Sequence, residues 1–148
     1  MNNTKLYKAF GLVIESALPI PQIAEVRDGK PDVRIVPAKL RGIVDPEAPT
    51  TAEGGCIIPT LTDTLFRVTN GDLIEADVCE ADTESNAAVY LMGSCMGAIL
   101  VQRGFMLLHG SCVTDGRRSI LITGDSGAGK STLAAEFLKR GWKLLTDD

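Results

Sequence analysis

Alternating apolar and β-branched residues predict strands in the first part of the chain. The segment KLYKAFGLVIES (5–16) has the composition of one opening strand, which ends at the turn-forming residues of ALPIPQ. A short extended segment, DVRIV (32–36), follows among prolines and glycines. These patterns predict that the fold opens with β structure.

A hairpin signal stands further along. The segments LFRVT (65–69) and LIEADV (73–78) both have strand composition and are joined by Asn70-Gly71. This dipeptide favours a hairpin because both residues tolerate positive φ. The region up to about residue 80 is therefore predicted to be a small, mostly antiparallel β unit.

The most apolar run of the chain predicts a helix from about 86 to 103. Ser85 can cap its N-terminus and Gly104 can end it. The apolar residues cover most of the helix circumference, so we expect the helix to be sandwiched between other elements.

The last part of the chain alternates strand and helix patterns. FMLLHGSCVT (105–114) predicts a buried strand, DGRR a turn, and SILIT (119–123) the next strand. A helix at about 130–140 ends at Gly141, and WKLLT (142–146) predicts a third strand. A strand, a helix and a strand at this spacing form a βα-β unit, which normally contains a parallel pair.

The loop before that helix carries the most specific motif. GDSGAGKS matches the phosphate-binding pattern G-x-x-x-x-G-K-[ST] in full, and it lies between a strand and a helix. Glycines allow the backbone to approach phosphate oxygens, and a helix N-terminus adds N–H donors and partial positive charge. Lys130 can reach the β- and γ-phosphates, and the Ser131 hydroxyl can coordinate Mg²⁺. The predicted nucleotide-binding residues are Gly124, Asp125, Ser126, Gly127, Ala128, Gly129, Lys130, Ser131 and Thr132.

An acidic pair, Asp147-Asp148, ends the third strand. In a parallel sheet this strand end lies on the same edge as the phosphate loop. A carboxylate there can orient Mg²⁺, which we assign to Asp147, or act as general base toward an acceptor hydroxyl. A solvated acidic pair is the alternative.

His109 is the one histidine of the chain. A lone histidine in an apolar strand is more often a core residue than a catalyst, but histidine is the residue type best suited to acid–base chemistry at neutral pH, and this strand leads toward the loop. In a regular strand, His109 and Ser111 share one face and Cys112 lies on the other. Ser111 and Cys112 are weaker candidates than His109.

Charge and cysteine content exclude several classes of protein. The net charge of −4 and a pI near 5.0, without a basic patch, argue against nucleic-acid binding. Four scattered cysteines, Cys56, Cys79, Cys95 and Cys112, and a single histidine do not form a zinc pattern and fit a reducing compartment. No basic-then-apolar leader is visible, and the apolar run is shorter than the roughly 20 residues of a membrane span. A cytoplasmic protein without membrane attachment is expected.

The segment LLHGSCV…ILITGDSGAGKSTLAAEFLKRGWKLLTDD (107–148) resembles the start of the catalytic domain of HPr kinase/phosphorylase. That family has a His-Gly pair in a strand, the phosphate loop, a helix ending in Arg-Gly and a strand ending in Asp-Asp. Upstream, YKAFGLVIESALPIP and YLMGSCMGAILVQRGFMLLHGS are similar to HPr-kinase-like proteins of lasso-peptide clusters, some of which phosphorylate a serine.

The resemblance implies roles for individual residues. His109, Lys130 and Asp148 would be catalytic, with Asp148 accepting the proton of the acceptor serine, and Ser131 would coordinate the metal. ATP and Mg²⁺ are the implied cofactors. The implied acceptor is a serine of an HPr-like protein or of a ribosomal precursor peptide, and a homo-oligomer is compatible with the resemblance.

The predicted fold class is α/β. A β-rich N-terminal region (1–84) and a connecting buried helix (85–104) precede the N-terminal part of a P-loop kinase domain (105–148). The family's domain continues beyond its Asp-Asp pair, with further strands, an acidic metal ligand and a substrate loop. We therefore expect a fragment or a truncated gene product with an incomplete P-loop domain.

Three functions remain open from the sequence. The first is a serine kinase of the HPr kinase type that transfers the γ-phosphate of ATP to a seryl hydroxyl. The second is a small-metabolite P-loop kinase, although such enzymes usually begin with the loop. The third is a module that binds nucleotide without transferring phosphate.

Overall fold

The computed structural model describes residues 4–48 and 55–147. The chain divides into two compact units, Met1–Met106 and Leu107–Asp148. Both strands and helices are present and strands dominate, so the predicted α/β class is confirmed at that level. Within the described residues, no helix is long and apolar enough to cross a membrane.

The first unit is built on a seven-stranded sheet. Its strands are β1 (Lys5–Ala9), β2 (Leu12–Ser16), β3 (Glu25–Val26), β4 (Val33–Pro37), β5 (Cys56–Pro59), β6 (Leu65–Thr69) and β7 (Leu73–Asp77). They lie in the order β3-β1-β2-β4-β7-β6-β5. Strand β4 runs parallel to both of its neighbours, β2 and β7, while the other pairs are antiparallel. The predicted, mostly antiparallel unit is thus a mixed sheet.

The opening segment forms a hairpin and not the single strand predicted from its composition. Strands β1 and β2 pair up to Ala9 and Leu12, so the connection has two residues, Phe10 and Gly11. Their φ angles of 54° and 75° are both positive, as in the type I′ turn that suits a two-residue hairpin. The sequence gives no Asn-Gly or Asp-Gly signal at this turn. Its first residue is a phenylalanine, a residue type that rarely adopts positive φ.

The second hairpin is confirmed. Asn70 and Gly71 have φ angles of 58° and 68°, and the Asp72 amide donates to the Thr69 carbonyl at 3.3 Å. Strands β6 and β7 then pair antiparallel from this turn. The Gly71 amide also donates to Oε1 of Gln102 at 2.8 Å, which ties the turn to the helical segment described next.

The helical segment starts earlier than predicted. Helix α1 (Glu84–Tyr90) has Thr83 as its N-cap, whose hydroxyl accepts the Asn86 amide at 3.2 Å. The predicted cap, Ser85, is therefore wrong, because it lies inside the first turn. A threonine at the cap position satisfies one of the four N–H groups that a helix start leaves without a partner.

The segment is also not one regular helix. One π-helical turn (Leu91–Cys95) separates α1 from α2 (Met96–Gln102), and the chain then leaves the helix at Gly104, with φ 83°. The end is thus as predicted, while the π turn is a local irregularity that the apolar pattern does not reveal.

The helical segment packs against the sheet with one face. Leu91, Cys95 and Met96 are fully buried in the same cluster as the sheet residues Phe66 and Ile74. On other faces, described residues are open to solvent: Val89 is 64% and Val101 56% exposed. The prediction of a sandwiched helix is therefore wrong. The helical segment has apolar residues around most of its circumference, but the sheet covers only those on one face.

A buried carboxylate anchors a loop at one end of the first sheet. Asp77 accepts the Leu40 and Arg41 amides at 2.8 and 2.9 Å and forms a salt bridge with the Arg41 guanidinium at 2.6 Å. These hydrogen bonds, first of all from the Arg41 side chain, hold the pKa of Asp77 well below its ordinary 3.8. Asp77 is therefore ionised and fixes the loop to β7.

The second unit holds a three-stranded antiparallel sheet and one helix. Its elements are β8 (Gly110–Thr114), β9 (Ser119–Thr123), α3 (Lys130–Lys139) and β10 (Lys143–Thr146). The strand order is β10-β8-β9. Strands β9 and β10 run in the same direction, but β8 lies between them and pairs antiparallel with both. The predicted neighbouring parallel pair is wrong, since the connection through α3 passes across β8.

Strand β8 is shorter than predicted. The predicted strand 105–114 begins only at Gly110, and the residues before it are exposed: Phe105 60%, Met106 83%, Leu107 49% and Leu108 56%. His109 accordingly precedes the strand and is itself exposed. The segment 105–114, which was predicted to be a buried strand, is therefore exposed in its first half.

Local features of the second unit agree with the sequence. The Asp115 carboxylate accepts the Arg117 and Arg118 amides, both at 2.9 Å, and forms the predicted turn between β8 and β9. After α3, the Trp142 ring packs edge-to-face on Phe137, with centroids 5.1 Å apart. The Arg118 guanidinium lies 5.4 Å from the same Trp142 ring.

Candidate functional site

The loop between β9 and α3 has the backbone conformation that the glycine pattern predicts. Gly127 and Gly129 have φ angles of 79° and 87°, in the left-handed region. An L-residue there costs roughly 1–2 kcal/mol. A Cβ on either glycine would meet nothing within 4 Å, so these glycines serve the shape of the loop and not the space around it.

This loop and the first turn of α3 enclose a small hollow. Its lining consists of Ser126, Gly127, Gly129, Lys130, Ser131 and Thr132, and its volume is about 240 Å³. Pockets that hold whole drug-sized ligands usually measure about 300–1,000 Å³. Among the described residues, the hollow is thus of a size for phosphate groups and not for a complete nucleotide.

Lys130 places a buried cation beside this hollow. The side chain is part of a residue that is only 6% exposed, and its Nζ donates to the Gly124 and Asp125 carbonyls at 3.1 and 3.2 Å. The ammonium has three N–H donors, and two of them hold it against the loop backbone. Its charge adds to the positive end of the α3 dipole, so the hollow favours a polyanion.

Asp147, the first residue of the acidic pair, lies beside the phosphate loop. Ser131 Oγ, in the first turn of α3, donates to Oδ1 of Asp147 at 3.2 Å, directly after β10. Because the hydroxyl hydrogen points at the carboxylate, the oxygen lone pairs of Ser131 point elsewhere and can bind a cation. Helix start and strand end therefore meet at one edge of the sheet.

Ser111 is a member of this group that the sequence reasoning ranked low. It is fully buried in β8, and its hydroxyl donates to the same oxygen, Oδ1 of Asp147. The contact depends on β8 lying between β9 and β10, an order that the sequence analysis did not predict. The only sequence signal was its place two residues after His109.

His109 lies at the same edge of the sheet by topology. Strand β8 is antiparallel to β9 and β10, so it starts at the edge where they end. The following residue must be a glycine, because a Cβ on Gly110 would lie 2.3 Å from the Ile122 carbonyl oxygen of β9. The His-Gly pair thus combines an exposed imidazole with a close contact between strands.

Asp148, the predicted catalytic base, lies outside the described residues, so its role stays a prediction. Its neighbour Asp147 is described and contacts Ser131 and Ser111.

The donor set at this edge fits a magnesium ion bound together with phosphate. Within residues 4–48 and 55–147, no group of three or more His, Cys, Asp or Glu side chains could hold a metal. Mg²⁺, however, is commonly bound by one or two carboxylates, with phosphate and water oxygens completing its shell. The hydroxyl of Ser131 and the carboxylate of Asp147 supply oxygen ligands of this kind.

The four cysteines are free thiols.

Comparisons with known proteins give a partial match. Over 41 residues, or 28% of the chain, it is 56% identical to the HPr kinase/phosphorylase of Clostridium botulinum (strain Eklund 17B / Type B). Over 64 residues, or 43% of the chain, it is 44% identical to that of Lactiplantibacillus plantarum. These stretches amount to 14% and 18% of the two relatives, so the chain spans less than a fifth of their length.

No protein-family model matches the chain, and no solved structure matches it. The chain is thus similar to HPr kinase/phosphorylases over part of its length.

Proposed function

We propose that this chain carries the Mg²⁺·ATP-binding part of a protein serine kinase of the HPr kinase/phosphorylase type. The observation that carries the proposal is the Ser131–Asp147 contact at the mouth of a complete phosphate-binding loop. A glycine-rich loop alone binds many anions, whereas a loop hydroxyl paired with a strand-end carboxylate is the arrangement that holds Mg²⁺ in P-loop proteins. The partial similarity to HPr kinase/phosphorylases supports the same class.

In this proposal the residues of the chain divide the work of binding. The amides of the loop and of the first turn of α3 bind phosphate oxygens, and Lys130 adds a cation beside them. Ser131 and Asp147 hold Mg²⁺, which when bound neutralises charge on the β- and γ-phosphates. The small hollow fixes the phosphates and leaves the base and ribose to other surfaces.

Phosphate transfer needs a group that takes the proton of the acceptor hydroxyl. We assign this role to the carboxylate of Asp148 and place His109 at the same edge as a second catalytic candidate. The acceptor is a serine of a protein or peptide, either an HPr-like protein or a ribosomal precursor peptide. Catalysis of this kind rests mainly on positioning and on charge neutralisation.

The first test is nucleotide binding by isothermal titration with ATP and Mg²⁺. Lys130→Ala should weaken binding by about a hundredfold, which corresponds to about 2.7 kcal/mol. Lys139→Ala, at the other end of α3, is the matched control and should bind as the wild type does. If Lys130→Ala and Lys139→Ala bind equally well, the loop is not the phosphate site.

The second test separates binding from transfer. Asp148→Asn should retain ATP binding and lose transfer of labelled γ-phosphate to a serine-containing acceptor. Transfer that survives in Asp148→Asn would contradict its assignment as the base. Preferred transfer to a sugar or a small acid would instead support the small-metabolite kinase.

A second candidate is a module that binds nucleotide without transferring its phosphate, since the contacts described at the loop all concern binding. The described residues enclose a space for phosphates only, about 240 Å³. If the wild-type chain binds ATP but forms no ADP with any candidate acceptor, this alternative replaces the kinase for these 148 residues.

A further inference from the structure

Two features of the second unit position the Asp147 carboxylate next to Ser131. The first is an irregularity in β10. Its register on β8 is Lys143 with Thr114 and Leu144 with Val113, but then Thr146 with Cys112, so one extra residue, Leu145, is inserted. This is a β-bulge, which re-aims the side chains that follow it.

The bulge decides which residue Asp147 faces. Without the insertion, the register would continue to place Asp147 opposite Gly110, which has no side chain. With the insertion, the pair Thr146 and Cys112 continued by one residue places Asp147 opposite Ser111. Directly opposed residues of an antiparallel pair point to the same face. Asp147 therefore joins the face of Ser111, which it contacts.

The second feature is the Ser111 hydroxyl itself. Ser111 is fully buried, so it cannot receive phosphate from a bound nucleotide, and its hydroxyl donates to Oδ1 of Asp147. Ser131 donates to the same oxygen. Two hydroxyl donors, from Ser111 and Ser131, hold the Asp147 carboxylate in one orientation. In the part of the chain that the structure describes, Oδ2 thus keeps its lone pairs for the shell of an ion.

We propose that Ser111 is a positioning residue for the metal site: it holds the Asp147 carboxylate in the orientation that binds Mg²⁺ together with Ser131. This inference rests on the proposed nucleotide-binding function. A positioning role for Ser111 differs from a stabilising role. A merely structural hydroxyl would affect folding but not the gain in ATP affinity that Mg²⁺ provides. Partners that orient metal ligands typically change metal affinity by about 10- to 100-fold when removed.

The experiment measures ATP affinity by isothermal titration, once with Mg²⁺ and once with EDTA. Ser111→Ala should reduce the Mg²⁺-dependent gain by about tenfold and leave the affinity in EDTA within about twofold of wild type. Cys112→Ala is the matched control, since Cys112 lies one residue along β8 on the opposite face, and it should keep the full gain. A Ser111→Ala protein with the same gain as Cys112→Ala overturns the inference.

A double-mutant cycle tests whether Ser111 acts through Asp147. In an Asp147→Asn background, Ser111→Ala should change the Mg²⁺-dependent gain by less than about twofold, because the group that it positions is already altered. A full tenfold loss in that background would mean that Ser111 acts independently, which contradicts the proposal.

Circular dichroism shows whether Ser111→Ala is folded. If it is not, Ser111→Thr and Ser111→Val carry the test, because they have similar shapes and only threonine keeps the hydroxyl. The threonine variant should keep the gain and the valine variant should lose it, and equal gains contradict the proposal. Absence of ATP binding by the wild type would overturn the proposed function and this inference together, whereas wild-type binding with an unchanged Ser111→Ala gain overturns the inference alone.

Discussion

The two sheets of this protein bury different kinds of residue. The seven-stranded sheet encloses an apolar cluster, in which Phe66, Ile74 and Leu91 are fully buried. The three-stranded sheet leaves the apolar residues Leu144 and Leu145 of β10 exposed, at 46% and 59%. The apolar residues of the first sheet form a large buried cluster, whereas in the second sheet Val113 is buried and much of the other apolar surface is exposed.

The buried polar groups follow the same division. In the first unit, Asp77 is buried where it binds the backbone of a neighbouring loop. In the second unit, Ser111 and Lys130 are buried beside the phosphate loop and the Asp147 carboxylate. Burial therefore serves stability in the first unit and the geometry of a site in the second.

The largest expected effect comes from the apolar cluster of the first unit. Phe66→Ala should lower the free energy of unfolding by about 3–5 kcal/mol, because it removes a fully buried ring and leaves a cavity. Leu121→Ala, at a residue of β9 that is 42% exposed, should cost about 1 kcal/mol or less. Urea unfolding followed by circular dichroism measures both. If the two variants lost the same free energy of unfolding, the proposed difference in burial between the two sheets would be contradicted.

The next largest effect concerns the tight contact between β8 and β9 in the second sheet. Gly110→Ala should cost about 1–3 kcal/mol, because its Cβ would overlap the Ile122 carbonyl and push β8 from β9. Gly124→Ala is a suitable comparison, since its Cβ would meet Ala128 at an ordinary 3.4 Å. Amide hydrogen exchange of β9 should be faster in Gly110→Ala only. Unchanged protection would mean that the strands accommodate a side chain there.

An effect of the same size is expected at Asp77. At pH 7, Asp77→Asn should cost about 1–3 kcal/mol, because two amides and a guanidinium lose their charged acceptor. The pKa of Asp77 in the folded state lies below the ordinary 3.8, so its contribution is complete above about that pH and is lost as the pH falls through the lower, folded value. Urea unfolding at several pH values should show the difference between wild type and variant shrinking below about pH 4.

The control for that experiment is Asp28→Asn, at an exposed position of the first unit. It should change the free energy of unfolding by less than about 0.5 kcal/mol at any pH. A difference between wild type and Asp77→Asn that stays constant down to about pH 2 would contradict the role of the ionised carboxylate.

The smallest effect is expected at the start of α1. Thr83→Ala should cost about 1 kcal/mol, because the Asn86 amide loses its capping oxygen. Thr83→Ser keeps that oxygen and should be close to wild type. Thermal unfolding of the two variants provides the comparison, and equal melting temperatures would show that the cap contributes nothing.

Features encoded by neighbouring residues were predictable from the sequence. The Asn70-Gly71 turn and the helix after the phosphate loop each depend on a few consecutive residues, and both are confirmed. The Phe10-Gly11 turn was missed because its first residue is not one that commonly adopts positive φ. Local signals thus succeed where the usual residue types occur.

Features that depend on strand order were not predictable in the same way. The place of β8 between β9 and β10 arises from long-range pairing, and the contact of Ser111 with Asp147 follows from it. The bulge at Leu145 leaves no trace in the composition of β10. The meeting of Ser131 with Asp147, in contrast, was anticipated from the general rule that loop and strand ends share an edge.

The packing of Trp142 on Phe137 has a practical consequence, because Trp142 is the sole tryptophan of the chain. Its fluorescence comes entirely from the far end of α3, about 15 Å along the helix from the phosphate loop. An emission change on adding ATP would report an altered environment of the Trp142 ring, away from the loop where the phosphates are proposed to bind. The protein therefore contains its own optical probe of whether events at the loop reach the opposite end of α3.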